Sequence, residues 1–505
     1  MSGPPSSSGE LGAGEFVNTE SQNIRRNLRR FDTICFAIAA IISIDTIGQI
    51  ATSGAEAFTW TAVLVVTLLF PYGLIMAELG SAFPHEGGPY VWLRKAFGKL
   101  TAGVGTMFYW ITNPVWLGGS ITFLAAATWE SFLVPGKAGG VGDYLFKIVF
   151  IWVAILGAVV SLRYGKWFVT FGAICKVGLV AVFAVTVLVY AARNGVHGYA
   201  AGAFAPTASG FLGVAPVLMF ALVGFEAPNG AAEEMHNPRR DVPRMVAVSG
   251  ITSALCYLVP IFGIVAVLPS DKINGLDGFM GAIGEVFSVY GSAAPAMTAI
   301  AAAVFVLVLL NQGVSWMMAS DRVQAVAGMD GAFPRWFGAF HPKLNTPLRV
   351  NLLSGVVATA FMLVATQLQS GSGSAVFGVV LNVAVSTLLM SYLVIFPTVL
   401  VLRRKASGTE RPFKVPFGRL GLGVCFGISY LWVLLGVWQT VAPGVLESAF
   451  GVPYDFRGTW GISRAEFELF TFGTLLVIAL LALGGYAIAR RNRASSAEPV
   501  ARQYS

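Results

Sequence analysis

Long runs of uncharged, apolar residues dominate this chain. An α-helix needs about 20 such residues to cross a bilayer core of about 30 Å. Only 11% of the 505 residues are charged, 56% are hydrophobic and the mean hydropathy is +0.72. A soluble domain carries roughly 25% charge, so the solvent for most of this surface is lipid. The runs lack the apolar–polar alternation of barrel strands. The expected fold is therefore an all-α membrane protein. Twelve spans are predicted, at 32–53, 58–82, 102–133, 143–162, 166–192, 211–236, 244–269, 289–328, 347–367, 374–402, 419–440 and 467–491. The third and eighth are too long for one upright crossing, so part of each is expected to tilt or to lie at the interface.

Basic residues set the expected orientation. With the N-terminus in the cytoplasm, the inner segments hold 26 of the 33 Lys and Arg, in clusters such as Arg25–Arg30, Arg239–Arg244, Arg403–Arg419 and Arg490–Arg493. Six fall outside (Lys137, Lys147, Arg193, Lys272, Arg457, Arg464), and Lys176 falls inside a span. The bias alternates loop by loop. It predicts a multi-pass protein of the plasma or bacterial inner membrane with both termini cytoplasmic. The net charge of +8 is then a matter of topology and not of nucleic-acid binding; the basic clusters face anionic lipid. Residues 1–24, rich in Ser, Gly and Glu, show no cleavable signal pattern and are expected to be disordered. Cys35, Cys175, Cys256 and Cys425 all fall in predicted spans and are expected to be reduced packing residues. No metal set, phosphate loop or nucleophile–base pair appears, so neither an enzyme nor a cofactor is expected.

Two spans carry residues that stop a helix. The first runs Ile41-Ile42-Ser43-Ile44-Asp45-Thr46-Ile47-Gly48-Gln49, the second Phe220-Ala221-Leu222-Val223-Gly224-Phe225-Glu226-Ala227-Pro228-Asn229-Gly230. Each opens a set of five spans with a long third member. Five is odd, so the second set enters the membrane inverted. The expected division is a tail at 1–31, a first repeat at 32–192, an inverted repeat at 211–402, two further spans within 419–491 and a tail at 492–505. Paired interrupted spans in two inverted halves point to a substrate site near the bilayer midplane.

Three stretches resemble the amino acid–polyamine–organocation transporter superfamily. They are Gly224-Phe225-Glu226 with Glu233-Glu234-Met235-His236-Asn237-Pro238-Arg239-Arg240-Asp241-Val242-Pro243-Arg244, then Glu78-Leu79-Gly80 through Phe83-Pro84 to Gly87-Gly88-Pro89-Tyr90, and Ser320-Asp321-Arg322 through Asp330-Gly331-Ala332-Phe333-Pro334 to Thr346-Pro347. The resemblance covers about 32–402 and implies a LeuT-type 5+5 inverted repeat, amino acid permease-like, with 12 transmembrane helices. It also implies a secondary transporter for amino acids or small organic amines. Family members usually break the first span at a Gly-Ser-Gly whose N–H groups hold the substrate carboxylate. Ala40, Ile41 and Ile42 stand there in this chain. An acidic residue in the first span is more similar to the polyamine-uptake branches.

The candidate substrate-binding residues are Ser43, Ile44, Asp45, Thr46 and Gly48 on the first break and Phe220, Ala221, Leu222, Gly224 and Glu226 on the second. Gly48 is the expected breaker of the first. A mid-membrane carboxylate at Asp45 must face protein or water. It would pair with a substrate amine or carry a proton; alternatively it would cap a helix half. Glu226 would respond to protonation or serve as a buried strut. The resemblance places Phe220 at an aromatic gate whose ring face suits an ammonium. It also places Lys176 where sodium-coupled relatives bind sodium, bridging the first and eighth spans. Burial makes such a lysine able to exchange a proton. Asn113, Asn311, Gln312, Ser315, Asn382 and Ser386 would complete the site only if they converge on the breaks; interhelical hydrogen bonding is the plainer reading for each. The expected partners are a small-molecule substrate, protons or a counter-substrate, and the lipid bilayer. Coupling would be to protons or exchange, with Lys176, Glu226 and Asp45 as coupling residues. The alternatives are a transporter specific for polyamines or other cationic amines, and a non-transporting amine sensor.

Overall fold

The computed structural model describes residues 28–136, 139–160, 166–196, 201–268, 273, 278–367 and 373–501. The expectations for Arg25, Arg26, Lys137, Arg163, Lys272 and Arg502, and for disorder across 1–24, lie outside these residues. Among the described residues the regular structure is helical, apart from an isolated parallel bridge between Leu28 and Met235. Ten of the helical stretches are long and apolar enough to cross a membrane.

In chain order, α1 (Arg30–Ala51) and α2 (Ala55–Ala82) lead to a short helix, Gly88–Phe97. Next comes α3, built from Lys99–Trp116, a π turn at Leu117–Ile121, and Thr122–Phe132. Then follow α4 (Val141–Val160), α5 (Lys166–Asn194), α6 (Ala208–Ala221), α7 (Pro238–Val267), α8 (Ala294–Met329) and α9 (Leu348–Gln367). Last are α10 (Gly373–Ile395 continued by Thr398–Lys405), α11 (Gly418–Val441) and α12 (Arg464–Ala501). Two of these are not among the ten. Helix α6 stops after 14 residues at its break, and α3 dilutes its apolar character with Gly, Thr, Ser and Trp. The long span predicted at 289–328 divides differently from expectation. Gly291, at φ 58, turns the chain between a short helix, Gly278–Phe287, and α8.

The apolar residues sort into two solvents. On α4, α5, α11 and α12, rows such as Val149, Val153 and Leu156, or Leu469, Leu476 and Leu480, stand exposed. Exposed at helical spacing, these are faces for lipid. By contrast α8 is buried on every side from Asn311 to Gly328, which makes it the axis of the molecule. Helices α1, α3, α4, α5 and α9 pack against it. Two glycines in the π turn of α3 let this packing close. A Cβ at Gly118 would strike the Ala358 carbonyl of α9, and one at Gly119 would strike Val380 of α10.

Candidate functional site

Both interrupted helices are broken in the backbone. In α1 the chain leaves the helix at Ile42 (φ −80, ψ 94) and Ser43 (φ −82, ψ 82) and resumes through a 3-10 turn at Ile44–Thr46. The break thus falls before Asp45, and Gly48 is not the breaker. It lies inside the resumed helix Ile47–Ala51, where a Cβ built on Gly278 would come within 3.4 Å of its Cα. The β-branched run Ile41-Ile42 weakens the helix, and Thr46 closes the turn by donating its hydroxyl to the Ser43 carbonyl at 2.7 Å. In α6 the helix ends at Ala221, and Gly224 takes φ 127, a region open to glycine alone.

A break frees N–H and C=O groups that cost several kcal/mol each if left bare in a membrane. Side chains from neighbouring helices take up several of these groups. Tyr257 of α7 joins the two breaks. Its hydroxyl accepts from the Ser43 N–H at 2.7 Å and lies 2.7 Å from the Ala221 carbonyl and 3.0 Å from that of Ile41. Trp316 of α8 donates its indole N–H to the Ala40 carbonyl at 2.9 Å. Lys176 of α5 donates to the Ala39 carbonyl at 2.9 Å, the Ile42 carbonyl at 2.6 Å and Gln312 Oε1 of α8 at 3.0 Å. Its ammonium is fully buried and bridges α1 to α8.

Asp45 sits at the centre. It is 1% exposed and makes no ion pair among the described residues. One carboxylate oxygen accepts from Gln312 Nε2 at 2.6 Å, the other from the Trp116 indole at 2.9 Å, with the Ser120 hydroxyl at 3.5 Å. These are side-chain donors, so Asp45 does not cap a helix half. Gln312 therefore carries one side of its amide on Asp45 and the other on Lys176, and its Oε1 also lies 3.3 Å from the Ile44 N–H. A carboxylate and an ammonium are thus linked through one amide. Phe220 packs edge-on against Trp116 with ring centroids 5.2 Å apart, and Trp116 meets Trp316 at 6.3 Å. The aromatic wall stands beside Asp45 and not against lipid.

Glu226 receives three tyrosines. Tyr72 of α2 hydrogen-bonds one carboxylate oxygen; Tyr392 of α10 and Tyr109 of α3 donate to the other at 2.8 and 3.2 Å. The Tyr72 oxygen in turn accepts the N–H groups of Gly224 and Phe225, each at 3.0 Å. The second break is therefore held by a hydroxyl that is itself held by Glu226.

The remaining predicted residues go elsewhere. Asn113 donates back to the Tyr109 carbonyl of its own helix at 3.0 Å. Asn311 ties α8 to the Phe168 carbonyl of α5 at 2.8 Å, and Ser315 bonds the Asn311 carbonyl at 2.8 Å. Asn382 donates to the Thr440 carbonyl of α11 at 2.9 Å, with Ser386 bonded to the Asn382 carbonyl at 2.7 Å. None of these contacts reaches Asp45; on α8 the residue that does is Gln312. Sequence reasoning did not single out Tyr72, Tyr109, Trp116, Tyr257, Trp316 or Tyr392.

The amino acid permease family model matches residues 28–462. The chain belongs to the amino acid permease family. The matched region takes in both breaks and every candidate residue. A probable agmatine/putrescine antiporter of Lactococcus lactis subsp. lactis (strain IL1403) is 27% identical over 425 residues, which cover 84% of this chain and 89% of that protein. The methylthioribose transporter of Bacillus subtilis (strain 168) is 22% identical over 451 residues, covering 84% and 93%. An uncharacterized transporter of Legionella pneumophila is 25% identical over 415 residues, covering 81% and 88%. This permease is thus a multi-pass membrane transporter and not an enzyme.

Proposed function

We propose that this permease moves small organic amines across the membrane by alternating access around the two breaks. The observation that carries the reading is Asp45, a buried carboxylate walled by Trp116 and Phe220 with no ion pair among the described residues. A substrate ammonium supplies the missing charge, and the aromatic faces favour it. The amides of the α1 break support an amine over a substrate held by its carboxylate. The Ser43 N–H is bonded to Tyr257 and the Ile44 N–H faces Gln312, so neither is open to a carboxylate. The name of the Lactococcus lactis relative agrees with this choice. Amino acids remain the broader class, with their α-ammonium on Asp45.

The architecture that goes with this reading has twelve spans, a 5+5 inverted repeat in α1–α5 and α6–α10, cytoplasmic termini and a plasma- or inner-membrane location. Lys176 holds two carbonyls of the α1 break, positions a sodium ion would otherwise serve. Coupling is therefore to protons or to a counter-substrate. Gln312 transmits the state of Asp45 to Lys176, and Glu226 with its tyrosines links the second break to α2, α3 and α10.

A heat-denaturation screen of the purified protein with amino acids, putrescine and agmatine tests the ligand class, because a ligand at 100 times its Kd stabilises the fold by about 2.7 kcal/mol. Asp45→Asn is expected to weaken amine binding by about 2 kcal/mol or more. Uptake into proteoliposomes is expected to ignore sodium and to respond to a proton gradient or to internal amine. Unchanged amine affinity in Asp45→Asn sinks the charge-pairing role, and a strict sodium requirement sinks the role given to Lys176. Ligand binding without counterflow would make the protein a sensor instead.

A further inference from the structure

Two carboxylates share one cation at the buried end of α8. Glu86 lies in the turn after α2, and Glu234 ends the 3-10 helix Ala227–Glu234. Both pair with the same nitrogen, Nη1 of Arg322, Glu234 at 3.0 Å. The other terminal nitrogen, Nη2, is turned to the Asn345 carbonyl at 3.0 Å. Arg322 is 1% exposed and each glutamate 3%. Among the described residues no other cation pairs with either glutamate. With both carboxyls ionised, the cluster carries one negative charge more than its guanidinium balances. The second oxygen of each carboxyl has no hydrogen-bond partner, so the ionised forms are poorly solvated as well.

The surrounding elements do not correct the excess. His85 precedes Glu86, and burial first, then Lys95 and Arg239, push its imidazole pKa down, so it stays neutral. Glu233 is half-buried and adds a further carboxylate. Arg94 and Lys99 meet Asp330, Arg30 meets Asp241 at 3.0 Å, and Arg239 meets Glu410 at 2.7 Å. Arg29, Lys95, Arg240, Lys343 and His236 are exposed. His341 accepts the N–H groups of Lys343 and Leu344. On α8 itself Asp321 turns away, to Trp110 of α3 and to Asn351 and Ser354 of α9.

We propose that Glu86 and Glu234 form a proton site, holding one proton between them on Arg322 while this end of the bundle is sealed and releasing it when the end opens. Two carboxylates crowded onto one site cannot both ionise at the ordinary pH, because each raises the pKa of the other. One proton leaves a single carboxylate for a single guanidinium, and the charges then balance. Burial is the largest influence on the Glu86 carboxyl and raises it, against the pull of Arg322 and the Glu233 N–H. Opening separates the two glutamates and hydrates them, which returns each to the ordinary carboxyl range. The sealed end therefore binds the proton more tightly than the open end. Its seal is strongest at low pH and weakens as pH rises through the raised, sealed-state pKa. The site deepens the proton branch of the proposed function and rests on that reading only where it links the proton to transport.

Infrared pH-difference spectra of the purified full-length protein test the site, because they read the carboxyl C=O stretch directly. Subtracting Glu86→Gln from wild type cancels every other carboxyl. The difference is expected to hold one protonated-carboxyl band that fades as pH rises from about 5 to about 8.5, and the same band is expected against Glu234→Gln. Absence of that band from both differences overturns the inference. The link to opening is read by maleimide labelling of Ala232→Cys, fully buried beside Glu234. The ratio of its rate to that of Ala232→Cys with Glu86→Gln cancels the titration of the thiol and of the histidines. That ratio is expected to rise roughly tenfold or more across the same range, a factor of ten for each unit of pKa difference. A flat ratio overturns the inference. Should Glu86→Gln not fold, Glu234→Gln serves for both measurements. Uptake that ignores an imposed proton gradient while the band is present overturns proton coupling in the proposed function and leaves the proton site standing.

Discussion

Lys176 is the residue on which the first break most depends. Its ammonium has three acceptors, the Ala39 and Ile42 carbonyls and Gln312 Oε1. Methionine matches the length of the stem but offers no donor. Lys176→Met should then strand three buried acceptors, at a cost of about 3 kcal/mol or more. The expected result is a clearly lower heat-denaturation midpoint and uptake reduced roughly tenfold or more, measured on protein that still elutes as a monodisperse species. A variant with wild-type midpoint and uptake would show that the charge does not hold the break. The location of Lys176 was legible in the sequence because a lone basic residue inside a span is conspicuous. Its partner Gln312 was visible only as one polar residue among three neighbours on α8. Asn311 and Ser315 share its stretch of helix but turn to α5 and to their own backbone. Which face of α8 meets α1 is a tertiary fact, and spacing alone did not carry it.

At the scale of the element, the breaks follow from a few backbone positions and the hydroxyls that serve them. Gly224 is the clearest. Its φ of 127 is closed to L side chains, and a Cβ there would lie 3.0 Å from the Trp316 ring. Gly224→Ala is expected to cost about 1–3 kcal/mol from the strained backbone, before any displacement of Trp316 from the Ala40 carbonyl. The check is the denaturation midpoint together with amine binding; the variant should lose binding while remaining folded. Wild-type binding in a folded Gly224→Ala would mean that the second break tolerates a different path. Both breaks were readable from the sequence, since Ser43, Asp45, Gly224 and Pro228 stand where lipid-facing helix cannot use them. The exact breakpoint of α1 was not. Gly48 carries the residue type of a breaker, yet the chain turns at Ile42 and Ser43 because Tyr257, Gln312 and Lys176 receive the freed groups there. The tyrosines were invisible for a related reason. Tyr72, Tyr109 and Tyr392 come from three helices and are three of 14 in the chain, and nothing local marks a hydroxyl that will meet Glu226.

For the whole molecule, the proposed alternating access requires one end of the bundle to close while the other opens. The end that carries the predicted cytoplasmic segments is closed here by charge. Arg322, at the buried end of α8, pairs with Glu86 from the segment after α2 and with Glu234 after α6 at 3.0 Å, and donates to the Asn345 carbonyl at 3.0 Å. Leu28 completes the layer, with its N–H on the Glu234 carbonyl at 2.9 Å and its own carbonyl accepting from His236 at 3.1 Å. The helix Gly88–Phe97 is pinned alongside, Arg94 and Lys99 meeting Asp330 at 2.9 and 3.5 Å. The opposite end holds a chamber of about 390 Å³. Opening the sealed end must separate Glu86 and Glu234 from Arg322, and breaking a buried pair costs about 3–5 kcal/mol because a charge is left unpaired. Replacing both carboxylates removes most of what favours closure. In a protein carrying Ala232→Cys, a fully buried position beside Glu234, the double substitution Glu86→Gln and Glu234→Gln is therefore expected to raise the rate of maleimide labelling roughly tenfold or more. The same change should slow transport, because the bundle then rests open at one end. Labelling as slow as with the carboxylates intact would show that packing, and not the Arg322 cluster, holds this end shut.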